Sequence, residues 1–291
     1  MMNLELLTQK AVQAAIDAGQ LISSYRDTEV DVLKKDAGST LASQVVTEVD
    51  RKSQEVILEV LLPTCDELDI ALLAEEDEDD RGRLESDYFW CIDPLDGTLS
   101  FINGEPGYSV SIGLVAKDGT PQIGVVYDPV HDVLYQATKG QGLRRNNERW
   151  SPTQDNQVLT FTYDRSFVED SNFNQVKGEL EAYAHSLGLN EFNPIHYGGA
   201  VLNACHVLEN GPGCHFKFPK SQDGGGSLWD YAATACLYEE GGAVVSDVFG
   251  NSLELNRPDS TYMNHRGALY ATNKELAKRV RKIISKYSDG R

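Results

Sequence analysis

The acids of one short stretch, Asp93-Pro94-Leu95-Asp96-Gly97-Thr98, are spaced for chemistry, and the apolar run Tyr88-Phe89-Trp90-Cys91-Ile92 leads into them. A buried strand that drives into acid, proline, acid and glycine reads as a tight turn, with Pro94 where its fixed φ is useful. Asp93 and Asp96 then project from one end of that strand, close enough to share a site. Two carboxylates so placed repel each other unless a cation lies between them. Gly97 removes a side chain where a ligand would approach the backbone. Thr98 reads as the start of a short helix over residues 99–102, whose unpaired N–H groups suit an anion. Acids that hold cations, beside amides that hold an anion, describe a metal-assisted phosphate site. The plain alternative is a surface turn with two solvated acids.

The elements around this stretch must position it. Leu4, Leu7, Ala11, Ala14, Ala18, Leu21 and Tyr25 recur at helical spacing, an amphipathic helix closing on Gly19 or running on to Tyr25. Residues 31–33 and 44–46 are expected as a short hairpin around Gly38-Ser39. Thr47 is expected to cap a second helix that buries Val49, Val56, Ile57, Val60 and Leu61 and ends at Pro63. Asp50 then falls in its first turn, where an acid complements the helix dipole. Residues 68–74 read as a strand delivering Glu75 and Glu76, followed by a solvated acidic loop, 77–80, that lacks the spacing of an EF-hand.

Residues 108–116 and 122–127 read as a hairpin around Asp118-Gly119, and 133–137 adds a strand. A polar stretch containing Pro152 marks a boundary. The expected organisation is therefore an N-terminal α+β half, residues 1–150, carrying most of the candidate acids, and a C-terminal α/β half, residues 151–291. In the second half, strand and helix signals alternate over 158–163, 173–187, 193–196 and 200–208. Gly198-Gly199-Ala200 opens a helix, the glycines giving room either to the helix start or to a ligand. A strand over 214–218 and a loop over 219–226 precede Ser227, which caps a helix packed through Trp229, Ala232, Ala233, Ala235 and Cys236. Asp230 lies in its first turn, as a cap or as a ligand. Strands over 243–246 and 268–271 and a helix over 274–286 close the chain.

The chain's 291 residues, 41% of them hydrophobic, suit a globular protein of one large or two ordinary domains, without an apolar run long enough for a membrane span. Five cysteines, odd in number and never in a CxxC pair, and an N-terminus without signal-peptide layout point to a reducing, cytoplasmic setting. A net charge of −19 disfavours nucleic acid as a partner. It also opposes an anionic substrate unless bound cations invert the local sign, so an acidic phosphatase is coherent only as a metalloenzyme.

The stretch Asp93 to Thr98 after a hydrophobic strand resembles the signature of the inositol monophosphatase superfamily. Ala74-Glu75-Glu76, Val46-Thr47-Glu48-Val49-Asp50 and Trp229-Asp230-Tyr231-Ala232-Ala233 match further family motifs in the same order, so the resemblance covers most of the chain. It implies a layered α/β/α/β/α sandwich with the site between the halves, and a Mg²⁺-dependent, lithium-sensitive phosphatase using two or three ions. By resemblance, Glu75, Asp93 and the Leu95 carbonyl hold one ion, Asp93, Asp96 and Asp230 a second, and Glu75 a weaker third. Thr98 and Asp50 pair to orient and deprotonate the attacking water, with the Gly97 and Thr98 amides on the phosphate and Gly199 and Ala200 bordering the substrate. Ser100 stands where family members often have Asn or Lys.

The resemblance leaves the substrate open. Asp223 has the spacing of the acid that meets ring hydroxyls in inositol-selective members, and Asp93 to Thr98 followed by Tyr108-Ser109-Val110-Ser111-Ile112-Gly113 resembles that branch more closely, which favours an inositol-1-monophosphatase type of activity. Lys217, Phe218, Pro219 and Lys220 instead resemble a stretch of the 3′(2′),5′-bisphosphate nucleotidases, where a lysine would meet a second phosphate. Fructose 1,6-bisphosphate is a further candidate substrate. A non-catalytic metal-binding homologue is a third kind of reading, opposed by the intact set of acids. Family members are often dimers, so a homodimer is an expectation.

Overall fold

The computed structural model describes residues 2–36, 39–154 and 156–288, with the backbone alone over 27–36 and 39–47. In chain order, helices α1 (Leu4–Asp36) and α2 (Ser39–Leu68) precede strands β1 (Ile70–Ala74) and β2 (Tyr88–Asp96) and the short helix α3 (Thr98–Ile102). Strands β3 (Ser109–Ala116), β4 (Pro121–Asp128), β5 (Val133–Thr138), β6 (Gly142–Arg145) and β7 (Glu148–Arg149) follow. The remainder runs β8 (Val158–Thr162), α4 (Phe173–Ser186), β9 (Glu191–Ile195), α5 (Ala200–Glu209), β10 (Gly213–Lys217), α6 (Leu228–Glu240), β11 (Val244–Ser246), β12 (Ala268–Ala271) and α7 (Lys274–Tyr287).

Strands β1 to β7 form one sheet in sequence order, and the second sheet runs β11-β12-β10-β8-β9. Helices α1 and α2 cover the outer face of the first sheet, and α5 and α6 lie between the sheets. Helices α4 and α7 cover the outer face of the second. The molecule is thus the α/β/α/β/α sandwich that the motifs imply. Each interlayer space has its own apolar core, the outer two centred on Ala11, Ile57 and Trp90 and on Phe161, Leu180 and Val280. Between the sheets, Val201, Leu237 and Tyr238 pack with Phe89 and Tyr270.

Small residues set how closely these layers approach. Gly19 does not end α1, because the position needs the absence of a side chain: a Cβ there would strike the Tyr127 ring on β4. On the opposite face, α6 lies directly on β3 and β4, where a Cβ at Gly124 would overlap the Ala233 carbonyl and one at Gly113 the Ala232 methyl. Helix α6 belongs by sequence to the second half but is seated on the sheet of the first.

Two expectations for the N-terminal third do not hold. Residues 31–33 and 44–46 are helical within α1 and α2 rather than strands of a hairpin; Gly38 of its supposed turn lies outside the described residues. The β-branched residues there, Val32, Val45 and Val46, are too few to interrupt helices that propagate from both sides. Thr47 is accordingly no cap, Asp50 lies well inside α2 rather than in its first turn, and Pro63 falls within the helix. An interior proline costs about 3 kcal/mol. The next turn offsets this: Thr64 Oγ1 donates to the Leu61 carbonyl (2.6 Å) and accepts from the buried Trp90 Nε1 (3.0 Å).

Because α6 can sit no closer than the glycines allow, Gly124→Ala should force it off the sheet. A loss of about 2–3 kcal/mol in urea unfolding is expected for such overpacking. An unchanged unfolding midpoint would show that the close approach is slack.

Candidate active site

The parallel pairing of β1 with β2 sets Ala74 beside Ile92, and the ladder continues one step as Glu75 N–H donates to the Ile92 carbonyl (3.1 Å). Glu75 and Asp93 therefore leave adjacent strands at the same end. The tight turn expected over Asp93 to Asp96 is not formed. Strand β2 runs through it with a bulge, Asp93 pairing with Ser111 and Asp96 with Ser109. A regular strand would point residues three apart to opposite faces. The extra residue restores the same face to both acids. Pro94 is tolerated at the bulge because it needs no ladder donor there, and Leu95 N–H turns instead to Asp93 Oδ1 (3.0 Å). Ser53 on α2 holds the Pro94 carbonyl (2.8 Å).

Asp230 arrives from the other half. Its Oδ2 accepts the Ser227 N–H (2.6 Å), so it caps α6, and it also stands with Asp93 and Asp96, one oxygen from each lying within 4.8 Å of the others. The capping and ligand readings of Asp230 are compatible. Asp96 reaches the opposite way, accepting the Ala200 (3.1 Å) and Val201 (3.0 Å) N–H groups at the start of α5. This is why residue 199 is glycine: a Cβ there would overlap the Asp96 carboxylate. The Ala200 amide is thereby committed to Asp96.

Asp50 is buried on α2 facing Glu75 and Glu76, and burial first, then these two charges, push it up to about 8. Thr98 Oγ1 donates to the Leu95 carbonyl (3.2 Å). Gln54, one turn along from Asp50, holds the chain beyond Glu75, accepting the Glu76 N–H (3.1 Å) and donating to Asp77 (2.8 Å). A glutamine four residues past an acid on a helix carried no signal of that role.

A cleft of about 360 Å³ opens at the junction of the halves, lined by Gly97, Gly199, Ala200, Lys217 and Asp230 among others. Lys217 at the end of β10 is largely buried, 3.0 Å from Asp164 and with its ammonium over the Tyr231 ring (5.4 Å). Burial opposes its charge, but Asp164, Tyr231 and Asp230 outweigh it and hold the lysine well above its usual range. Asp164, which follows β8, was not legible as a site residue. Asp223 and Lys220 do not line the cleft. Both are exposed, and the Asp223 charge acts on Arg257. The loop between β10 and α6 carries them away from the cleft.

The acids are poorly compensated. Burial, then Glu75, Asp96 and Asp230, drive Asp93 well above the usual carboxylate range. Burial, then Asp230, does the same for Asp96 against the pull of the Val201 amide and Lys217. Asp230 is raised by burial, partly countered by Lys217 and the Ser227 amide. Glu75 is pushed up to about 7, chiefly by desolvation, despite its hydrogen bond with Asp93. Hard oxygen ligands converging without matching positive charge suit a divalent cation such as Mg²⁺.

The model of the inositol monophosphatase family matches residues 3–288. The Nus factor SuhB of Pasteurella multocida is 31% identical over 248 residues, spanning 82% of this chain and 84% of that protein. The inositol-1-monophosphatase of Synechocystis sp. is 28% identical over 289 residues, 97% of this chain and 90% of its own. The structure of inositol monophosphatase from Anabaena (Nostoc) sp. matches with a TM-score of 0.69 at 25% identity, covering 98% of this chain and 97% of that one.

The raised acids make stability fall with pH. Unfolded carboxyls titrate near pH 4, whereas Glu75 and Asp50 in the folded chain titrate at about 7 and about 8. Between these values the folded state holds more protons than the unfolded one, so alkali favours unfolding. In EDTA the melting temperature should drop between about pH 5 and pH 8, and millimolar Mg²⁺ should restore it most at pH 8. A Mg²⁺-independent melting temperature at pH 8 would contradict this.

Proposed function

The chain belongs to the inositol monophosphatase family, and from that premise we propose that it is a Mg²⁺-dependent phosphomonoesterase acting on a small phosphate ester. The observation that carries the reading is the convergence of Asp93, Asp96 and Asp230, the last of which lines the cleft, with Glu75 hydrogen-bonded beside them. Glu75, Asp93, the Leu95 carbonyl, Asp96 and Asp230 would hold the ions. When bound, these would supply charge neutralisation on the phosphoryl oxygens, activation of water and stabilisation of the leaving oxygen.

The chain's own groups would do the rest. Asp50, its basicity raised by burial, is suited to accept the proton of the attacking water near neutral pH. The Thr98 hydroxyl, its proton directed to Leu95, keeps lone pairs to orient that water. The Gly97 and Thr98 amides at the start of α3 would meet the phosphate, and Gly199 would border the ester. The helix start of α5 acts through Asp96, whose two oxygens it fixes.

The relatives bear on the ester. One bears the name inositol-1-monophosphatase, which favours the polyol monophosphate. That reading loses the Asp223 carboxylate, which lies outside the cleft, and would have to take its hydroxyl contacts from elsewhere. Lys217 does line the cleft, an observation that favours the second reading, an ester with another anionic group, as in a 3′,5′-bisphosphate nucleotide. Its ammonium is already paired with Asp164, so the two readings differ in whether that pair is shared with substrate.

Asp93→Asn should leave a folded protein whose Mg²⁺-dependent hydrolysis falls by about 10³ or more, the scale of removing one preorganised charge interaction. Near-normal turnover at saturating Mg²⁺ would sink the assignment. Lithium offers a second check through the family resemblance: tens of millimolar Li⁺, against Na⁺ as control, should inhibit at fixed Mg²⁺, and indifference would count against a typical family site.

A further inference from the structure

Residues two apart on a strand share a face, and on β10 these are His215 and Lys217, both turned to Asp164 beyond the end of the parallel neighbour β8. Only one of them can neutralise it. His215 gives its Nδ1 proton to the Thr162 carbonyl (3.0 Å), and its Nε2, 4.0 Å from Asp164, makes no hydrogen bond. Burial holds the ring below the usual histidine range, so it stays neutral and Nε2 has no proton to give. The charge that meets Asp164 is that of Lys217, at 3.0 Å.

The same ammonium reaches the acid cluster. The Lys217 side chain is 12% exposed, and its main chain is fixed by pairing with Ala268 on β12. The ammonium lies over the Tyr231 ring, 5.4 Å from its centroid. Tyr231 and its neighbour Asp230 close on one point of the loop before α6: a Cβ at Gly226 would come within 2.9 Å of the Tyr231 ring and 3.1 Å of Asp230 Oδ2. Asp164, Lys217 and Asp230 accordingly line one cleft.

We propose that Lys217, anchored by Asp164, is a positioning residue that acts as a resident cation and lowers the affinity of the metal ion held by Asp96 and Asp230. The proposal rests on the reading of these acids as metal ligands and concerns how tightly they hold. A fixed positive charge beside carboxylates relieves their repulsion before an ion arrives and repels a divalent ion once it does. Both effects weaken binding. Lys217 is the foremost charge opposing the rise of Asp230, and it lowers Asp96 as well. On Asp93 and Glu75 the leading charges are other acids. The effect therefore falls on the Asp230 side of the cluster. The Asp164 pair keeps the ammonium in place when an ion enters.

Calorimetric titration of Mg²⁺ into the metal-stripped full chain tests this. Lys217→Met, which keeps the stem and removes the charge, should tighten Mg²⁺ binding by about tenfold, the scale of one nearby charge on a divalent ion in a partly solvated site. Lys217→Arg should keep the wild-type affinity, and Asp164→Asn, which strips the lysine of its counter-charge, should weaken it. Lys220→Met makes the same charge change outside the cleft and should alter nothing. Damage to packing loosens an ion site, so tightening is a result that a merely structural lysine would not give. Should Lys217→Met fail to fold, Lys217→Gln carries the same expectation. Unchanged or weaker binding in the folded variant, or equal tightening by Lys220→Met, would overturn the proposal. Tighter Mg²⁺ binding in Lys217→Met, by a chain that hydrolyses no phosphate ester, would support it and overturn the phosphatase reading instead.

Discussion

Carboxylates whose oxygens lie within 4.8 Å of one another cannot all ionise without a cation among them, and Asp93, Asp96 and Asp230 are held at that separation by two distant parts of the chain, β2 and α6. The parallel β1–β2 register, the β2 bulge, the capping of α6 by Asp230 and the docking of α5 on Asp96 all serve to keep mutually repelling groups together. The repulsion is opposed within the protein by Lys217, itself shared with Asp164. The remainder is what a metal ion at this group of acids would offset. Stability is thereby exchanged for a site whose charge is completed only on binding.

Such an arrangement needs stiff supports. Helix α6 brings Asp230 across from the second half, and its seat on Gly113 and Gly124 fixes how near it comes to β2. Helix α5 is tied to the other end of the same cluster through Gly199 and Asp96. Both helices form the layer between the sheets, so the acids are clamped by elements that are buried on both sides.

Much of this was legible in the chain itself. The apolar run into Asp93 announced a buried strand, the acids named themselves by position, and Ser227 followed by Asp230 predicted a capped helix. What was hidden depended on long-range packing. A bulge and a turn have the same local composition, and only pairing with Ser109 and Ser111 distinguishes them. Pro63 read as a stop because the partner that stabilises the helix beyond it, Trp90, lies on a strand from later in the sequence. Asp223 sat at a suggestive spacing, but spacing along a loop does not fix direction in space. Asp164 and Lys217, far apart in sequence, meet only because β8 and β10 are parallel neighbours.

The central claim is that the acids exist to hold metal, and crystals equilibrated with Mn²⁺ in place of Mg²⁺ test it most directly. Anomalous density should appear among Asp93, Asp96 and Asp230, with Asp93 contacting it, and should vanish in Asp93→Asn. Well-ordered crystals at saturating Mn²⁺ with no anomalous density among these carboxylates would contradict the account.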